Sequence, residues 1–152
     1  MQSSFVSTAD GTEIVTYAWT EIPGAPLGAV QIAHGLAEHA ARYDRLARSL
    51  NEAGLLAYAT DHRGHGRTGQ ESLGDFGPGG FAGLVADVAE FGARIATGYP
   101  ELPLFLLGHS MGSFAAQAVI VDHSEQYAGV VLSGSTALDV LAATLAQAEG
   151  PV

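Results

Sequence analysis

The chain has 152 residues, of which 47% are hydrophobic and 14% charged, a balance that excludes a disordered protein and suffices for one domain with a sizeable core. Its net charge of −10 disfavours binding to nucleic acid or to an anionic membrane surface, and it has no cysteine for disulfides or thiolate metal sites. The N-terminal residues lack the basic stretch and apolar core of a signal peptide, and no apolar run approaches the roughly 18 residues of a membrane span. We therefore expect a cytoplasmic protein with no integral membrane span.

Strand and helix signals alternate along the chain. Six short apolar runs bounded by turn residues predict β-strands, at residues 5–7, 14–17, 29–33, 55–60, 104–107 and 129–133. Asp10-Gly11 between the first two predicts a hairpin. Apolar residues at helical spacing predict helices around residues 43–50, 81–96, 110–121 and 137–148, the second with an apolar face that runs from Phe81 to Ile95. This alternation predicts an α/β fold with a mostly parallel sheet and flanking helices.

The motif Gly108-His109-Ser110-Met111-Gly112 directly follows the fifth predicted strand and opens the third predicted helix. A G-x-S-x-G sequence in that context is typical of a nucleophile elbow, where a serine lies on a sharp strand-to-helix turn and the flanking glycines avoid steric overlap. The start of the helix directs backbone N–H groups toward a reacting carbonyl oxygen. We therefore predict that Ser110 is a nucleophile and that His109 packs beside it; the alternative is a serine in an ordinary βα turn.

An acyl-transfer site also needs two N–H donors for the oxyanion that forms during attack. In a nucleophile elbow the residue after the serine supplies one of them, which here is Met111. The second comes from the turn after the third strand, where His34-Gly35-Leu36 lies. We predict Leu36 N–H as this donor, the alternative being an ordinary strand-ending turn.

Three segments occur in a specific order and spacing: HGLAEHAARY at residues 34–43, DHRGHGRTG at 61–69 and YPELPLFLLGHSMGS at 99–113. With these motifs the chain resembles the monoacylglycerol lipase and lysophospholipase-like branch of the α/β-hydrolases, over nearly its whole length to about residue 133. The resemblance implies the α/β-hydrolase fold and a serine esterase or lipase that needs no cofactor. It also implies Ser110 as nucleophile, with Leu36 and Met111 as oxyanion donors.

The same resemblance implies that further side chains shape the site. The expected site-shaping residues are His34, Gly35, Glu38, His39 and His109, together with Arg42 and Tyr43. Three positions depart from the usual family residue: Ala37 for Gly, Thr68 for Ser and Ser113 for Gly. These replace one small residue by another, so they are expected to narrow the pocket at most. Residues 1–135 then correspond to the N-terminal part of the hydrolase core, and residues 136–152 to the start of a cap that selects the acyl group.

The catalytic triad of this fold runs Ser, then Asp or Glu, then His, and it is incomplete here. His123 is the only histidine after Ser110, and it lies on the order of 20 Å away at the far end of the predicted helix. The aspartates after Ser110 are Asp122 and Asp139, and Asp139 is a weak candidate for the acid. A sheet of about six strands would also end on an exposed parallel edge. We therefore expect the acid and the base from a missing C-terminal part or from a second chain of the same hydrolase.

Two functions are consistent with these observations. The first is a serine hydrolase that cleaves carboxylic esters of a small-molecule substrate through a Ser110 acyl-enzyme. The second is a catalytically silent fragment of the fold that acts as a binding or assembly module. A metal site at Asp61, His62 and His65 is a further alternative. We predict no metal, because the resemblance places these residues in a loop that braces the fold by hydrogen bonds.

Overall fold

The computed structural model describes residues 1–137, in which six strands form one sheet. The strands are Gln2–Val6 (β1), Glu13–Trp19 (β2), Gly28–Ala33 (β3), Leu55–Thr60 (β4), Leu104–His109 (β5) and Gly129–Ser133 (β6). Their order across the sheet is β1-β2-β4-β3-β5-β6. β1 pairs with β2, and β2 with β4, in antiparallel fashion, whereas β4, β3, β5 and β6 are parallel. The predicted α/β fold with a mostly parallel sheet is confirmed.

The helices cover both faces of this sheet. They are Asp44–Glu52 (α1), Gly80–Gly98 (α2) and Met111–His123 (α3), with short 3₁₀ turns at Ala40–Tyr43 and Ser124–Gln126. None of the helices within residues 1–137 is long and apolar enough to cross a membrane. The fourth predicted helix and the predicted cap segment lie outside the described residues, except for residues 136 and 137.

Two apolar clusters fill the space between the helices and the sheet. On one face, α2 and α3 pack on the sheet through buried side chains that include Leu84, Leu106 and Val119. On the other face, a smaller cluster around Ile32 lies under α1. Phe81 was expected on the apolar face of α2 but is 40% exposed, because it lies in the first turn of α2, outside these clusters.

The strand order reverses at β3. The chain crosses from β3 to β4 on one side, and β5 later pairs with β3 on its other side. In open α/β sheets, ligands bind beyond the carboxyl ends of the strands at such a reversal. The turn after β3 (residues 34–39) and the turn at Ser110 after β5 therefore meet at the crevice that the topology provides.

A buried ion-pair group anchors the loop after β4 (residues 61–74). Arg63 Nε lies 2.5 Å from Asp87 Oδ2 of α2, and the same guanidinium pairs with Asp10 of the β1–β2 hairpin. The hydrogen bonds that Arg63 donates to Asp87 and Asp10 raise the pKa of Arg63, and Arg63 holds the pKa of Asp10 well below its usual range. The buried Arg63 guanidinium thus joins the β1–β2 hairpin, the 61–74 loop and α2. It holds the 61–74 loop beside the crevice.

Within residues 1–137, β6 forms an edge of the sheet and pairs with β5 alone. Its side chains Val131 and Leu132 are 54% and 41% exposed. A parallel edge strand with exposed apolar side chains and free backbone groups is a surface that proteins normally cover.

Candidate active site at the carboxyl ends of β3 and β5

Ser110 lies on a sharp turn between β5 and α3. Its backbone angles are φ 50° and ψ −118°, in a region that a non-glycine residue occupies at a cost of about 1–3 kcal/mol. The turn is held by its neighbours: Ser110 N–H donates to Ser133 O at 2.9 Å, and Ser110 O accepts from Ser113 N–H at 2.8 Å and from Ser113 Oγ at 2.6 Å. This is the strand-turn-helix geometry that the motif predicts.

The two glycines of the motif allow close backbone contacts. A Cβ at Gly108 would overlap the backbone of Gly112, and a Cβ at Gly112 would overlap the carbonyl of Ala33 at the end of β3. Because these neighbours are backbone atoms, they cannot move aside as a flexible side chain could. The start of α3 therefore presses directly on β5 and β3, and this contact fixes where Ser110 is presented.

The turn at residues 34–39 packs against the Ser110 side chain. A Cβ at Gly35 would lie 3.2 Å from Ser110 Cβ, and 2.8 Å from Glu38 Oε1. Glu38 Oε1 accepts the Gly35 N–H and the Tyr43 hydroxyl, the latter at 2.8 Å, while Arg42 pairs with Glu38 Oε2 at 3.3 Å. The Gly35 N–H is therefore occupied by Glu38 and is not free to bind a substrate oxygen.

The charge of Glu38 follows from these bonds. Burial alone raises the pKa of the Glu38 carboxyl, but the hydrogen bonds from Gly35 and Tyr43 outweigh it, and the net shift is downward. Glu38 is thus an ionised carboxylate that ties the 34–39 turn to the 3₁₀ turn before α1. The same turn contains Ala37, with a φ of 58°, in the left-handed region that favours glycine.

Three histidines, His34, His62 and His65, pack together where the 34–39 turn meets the 61–74 loop. The ring centroids of His34 and His62 are 4.0 Å apart, and those of His34 and His65 are 5.4 Å apart. His34 Nδ1 donates to Gly35 O at 2.8 Å, and His34 Nε2 accepts from His62 N–H at 3.0 Å, which assigns the neutral Nδ1–H tautomer. Burial lowers the pKa of His34 to about 4 and holds the pKa of His62 well below its usual value.

The expected hydrogen-bond bracing by the 61–74 loop is confirmed: Asp61 accepts bonds from Ala40 N–H at 2.8 Å and from the Tyr17 hydroxyl at 3.0 Å, and His62 N–H donates to His34 Nε2. Both ring nitrogens of His62 are buried without a hydrogen-bond partner among the described residues, and the ring packs against His34 at an interplanar angle of 36°. Within residues 1–137, no group of three or more His, Asp or Glu side chains is arranged to hold a metal ion.

The remaining predicted site residues lie around Ser110 at different depths. His109 Nδ1 lies 3.2 Å from Ser133 Oγ, and a Cβ at Gly134, whose φ is 59°, would lie 3.3 Å from the His109 ring. His39 is exposed and borders a pocket beside the 34–39 turn. His123 is exposed at the far end of α3, and among the described residues no histidine hydrogen-bonds the Ser110 hydroxyl. Asp139 lies outside the described residues.

Sequence reasoning missed two groups that hold the elbow in place. The Ser113 hydroxyl bonds the Ser110 carbonyl, and the Ser133 carbonyl accepts the Ser110 N–H. The role of Ser113 could have been suspected from the sequence, because Ser113 stands where the family resemblance implies glycine. The Ser133 carbonyl had a weaker signal in the sequence, which is the glycine at position 134 directly after a predicted strand.

A family model described as serine aminopeptidase, S33 matches residues 24–148. The chain is 41% identical over 129 residues to the monoacylglycerol lipase of Mycolicibacterium smegmatis, covering 82% of this chain and 43% of the lipase. It is 37% identical over 126 residues to the monoglyceride lipase of Homo sapiens, covering 82% of this chain and 40% of that lipase.

A solved structure gives the same picture. The fold superposes on a thermostable carboxyl esterase from Bacillus coagulans with a TM-score of 0.84 at 32% identity, over 99% of this chain and 51% of the esterase. The chain thus spans about half the length of the esterase and less than half of the two lipases. The family resemblance drawn from the three sequence motifs is confirmed. The chain therefore belongs to the serine aminopeptidase S33 family of α/β-hydrolases, in the group related to monoacylglycerol lipases.

Proposed function

We propose that this chain supplies the nucleophile and the oxyanion donors of a serine hydrolase that cleaves carboxylic esters, as a monoacylglycerol lipase or carboxylesterase does. The observation that carries the proposal is the position of Ser110. It lies on a turn of positive φ at the start of α3, directly against the 34–39 turn at the sheet's switch point. A serine in an ordinary βα turn has no need of this conformation, which costs free energy.

The reaction then proceeds in two steps at Ser110. Ser110 Oγ attacks the ester carbonyl carbon while a base takes its proton, and the negative oxygen accepts N–H bonds from Leu36 and Met111. The base returns the proton to the alcohol oxygen as the ester bond breaks, which leaves an acyl group on Ser110. Water, deprotonated by the same base, attacks this acyl-enzyme, and the base passes that proton to Ser110 Oγ as the acyl–oxygen bond breaks and the carboxylic acid leaves. Leu36 is preferred over Gly35 as a donor, because the Gly35 N–H is bonded to Glu38.

The acid and the base of the triad come from outside residues 1–137 in this proposal, from a C-terminal part of the hydrolase or from a second chain that carries it. Three observations support this. No histidine among the described residues bonds the Ser110 hydroxyl, and the exposed edge of β6 offers a place where further strands can pair. The matched lipases and the esterase are about twice as long or more. The cytoplasmic location stays a prediction from the sequence.

Steady-state assays of the full-length protein test the proposal with p-nitrophenyl esters and monoacylglycerols as substrates. The Ser110→Ala variant is expected to lose hydrolysis of all of them, whereas Ser49→Ala, at an exposed position on α1, is a matched control that retains it. Equal turnover by the Ser110→Ala and Ser49→Ala proteins would contradict the proposed nucleophile. Absence of turnover in every protein, including the unmodified one, would favour the silent binding module.

A further inference from the structure

The carbonyl oxygen of Ser110 accepts hydrogen bonds from three donors. Ser113 N–H lies 2.8 Å away, Phe114 N–H 3.3 Å and the Ser113 hydroxyl 2.6 Å. The two N–H bonds are those that the first turn of a helix supplies by itself. The hydroxyl bond is additional to them and is the shortest of the three. Glycine, which the family resemblance implies at position 113, could not make it.

This carbonyl belongs to the same peptide group as the Met111 N–H. The peptide bond between Ser110 and Met111 is trans, so its C=O and N–H point in opposite directions. The carbonyl is directed into α3, and the N–H is therefore directed out of the helix start. Since Met111 is the first residue of α3, no helix carbonyl can accept its N–H. The Met111 N–H is thus available to an oxyanion, whereas the Ser110 N–H is bonded to the Ser133 carbonyl.

A hydrogen bond at one end of a peptide group strengthens the other end. A donor on the carbonyl oxygen draws electron density from the nitrogen through the amide resonance, which makes the N–H a better donor. This cooperative strengthening is about 10–30% per bond. The Ser113 side chain is fully buried, so water does not compete for its bond. Its backbone is also fixed, because a Cβ at Gly108 would lie only 2.7 Å from Ser113 Cα.

We propose that Ser113 is a positioning residue for ester hydrolysis, whose hydroxyl holds the Ser110–Met111 peptide group in place and strengthens the Met111 N–H as an oxyanion donor. This rests on the proposed serine hydrolase function, which supplies the oxyanion. The substrate oxygen carries its negative charge only after attack, in acylation and again in deacylation. The hydroxyl therefore acts on the transition states and not on the bound substrate. Its loss is expected to lower kcat and to leave KM unchanged.

The test compares Ser113→Ala with Thr97→Ala in the full-length protein, with p-nitrophenyl octanoate as substrate. Thr97 is a matched control, because its hydroxyl also bonds a carbonyl one helical turn earlier, Ala93 O at 2.8 Å. It lies near the end of α2 that precedes the start of β5, whereas Ser110 follows the end of β5. Loss of a whole oxyanion donor lowers kcat by about 10²–10³-fold, so loss of a 10–30% strengthening predicts a decrease of about 2- to 8-fold in Ser113→Ala. Thr97→Ala is expected to match the unmodified protein.

Two further measurements separate this role from a purely structural one. An octyl trifluoromethyl ketone forms an adduct with a serine nucleophile in which a negative oxygen takes the place of the substrate oxyanion. Its inhibition constant is expected to rise in Ser113→Ala by the same factor by which kcat falls. Ser113→Cys fills the space of the hydroxyl with a weaker donor, so its kcat is expected to lie close to that of Ser113→Ala.

Four results would overturn the role of Ser113: an unchanged kcat in Ser113→Ala, an unchanged inhibition constant, an equal loss in Thr97→Ala, or full activity of Ser113→Cys beside a loss in Ser113→Ala. Fluorophosphonate labelling of the unmodified protein tests the hydrolase separately. Labelling of Ser110 together with an unchanged kcat in Ser113→Ala refutes the role of Ser113 alone. Absence of labelling refutes the hydrolase and the role of Ser113 with it.

Discussion

Lowering the pH from 7.5 to 5 is expected to destabilise the protein through His34, which lies buried at the start of the 34–39 turn that packs against Ser110. The His34 ring uses both nitrogens as a neutral imidazole, donating from Nδ1 to Gly35 O and accepting at Nε2 from His62 N–H. Protonation of Nε2 would replace that acceptor by a second donor facing the His62 N–H. The acidic neighbours Asp61 and Glu38 favour the charged ring, but burial outweighs them.

The size of the effect follows from proton linkage. The pKa of His34 falls from 6.5 in an unfolded chain to about 4 in the folded protein, so between these values the unfolded state binds more protons. Its contribution to stability is complete above pH 6.5 and is lost as the pH falls toward 4. The loss is about 2 kcal/mol at pH 5 and about 3 kcal/mol at pH 4. The lowered pKa of His62 acts in the same direction.

Urea unfolding followed by circular dichroism at pH 7.5 and pH 5 measures this loss. Glu38 stays ionised over that range because its pKa is lowered, so it adds little to the slope. His34→Gln keeps one donor and one acceptor but cannot titrate, and it is expected to remove about 2 kcal/mol of the pH dependence. His123→Gln, at an exposed position, is the control that leaves it intact. Equal pH dependence in the two variants would refute the role assigned to His34.

Two backbone predictions test the turns that flank the site. Ala37→Gly is expected to stabilise the protein by about 0.5–1 kcal/mol, since relief of a left-handed alanine gains about 1–2 kcal/mol and the flexibility of glycine offsets about half of it. Ala41→Gly, at an exposed position without positive φ, should instead destabilise, and a larger loss from Ala37→Gly in urea unfolding would contradict this reasoning. Gly112→Ala is expected to cost about 1–3 kcal/mol and to slow Ser110 labelling, because its Cβ overlaps the Ala33 carbonyl. Gly98→Ala, with open space around its Cβ, should do neither, and equal labelling rates in the two glycine variants would contradict the close contact.

The sequence allowed the fold to be predicted where local patterns carry the information. Apolar runs bounded by turn residues predicted six strands, and a glycine-flanked serine between a strand and a helix predicted the turn at Ser110. The Glu38 bond to Gly35 and the packing of the His62 ring against His34 were not predictable in this way. They depend on side chains that meet only after β3 and β4 are brought together, and no local periodicity encodes such a meeting. The exposure of Phe81 has the same origin, since helical spacing does not say how far a core extends along the helix.

The most direct test of the central claim is fluorophosphonate labelling of the purified full-length protein, read by intact mass and peptide mapping. We expect one adduct, on Ser110, that forms at neutral pH and is absent from the Ser110→Ala variant. The preparation should also contain the histidine and acid that residues 1–137 do not place at Ser110, in the same polypeptide or in a second chain. An adduct on another residue, or none in a folded protein that carries the C-terminal part, would contradict the assignment of Ser110 as the nucleophile.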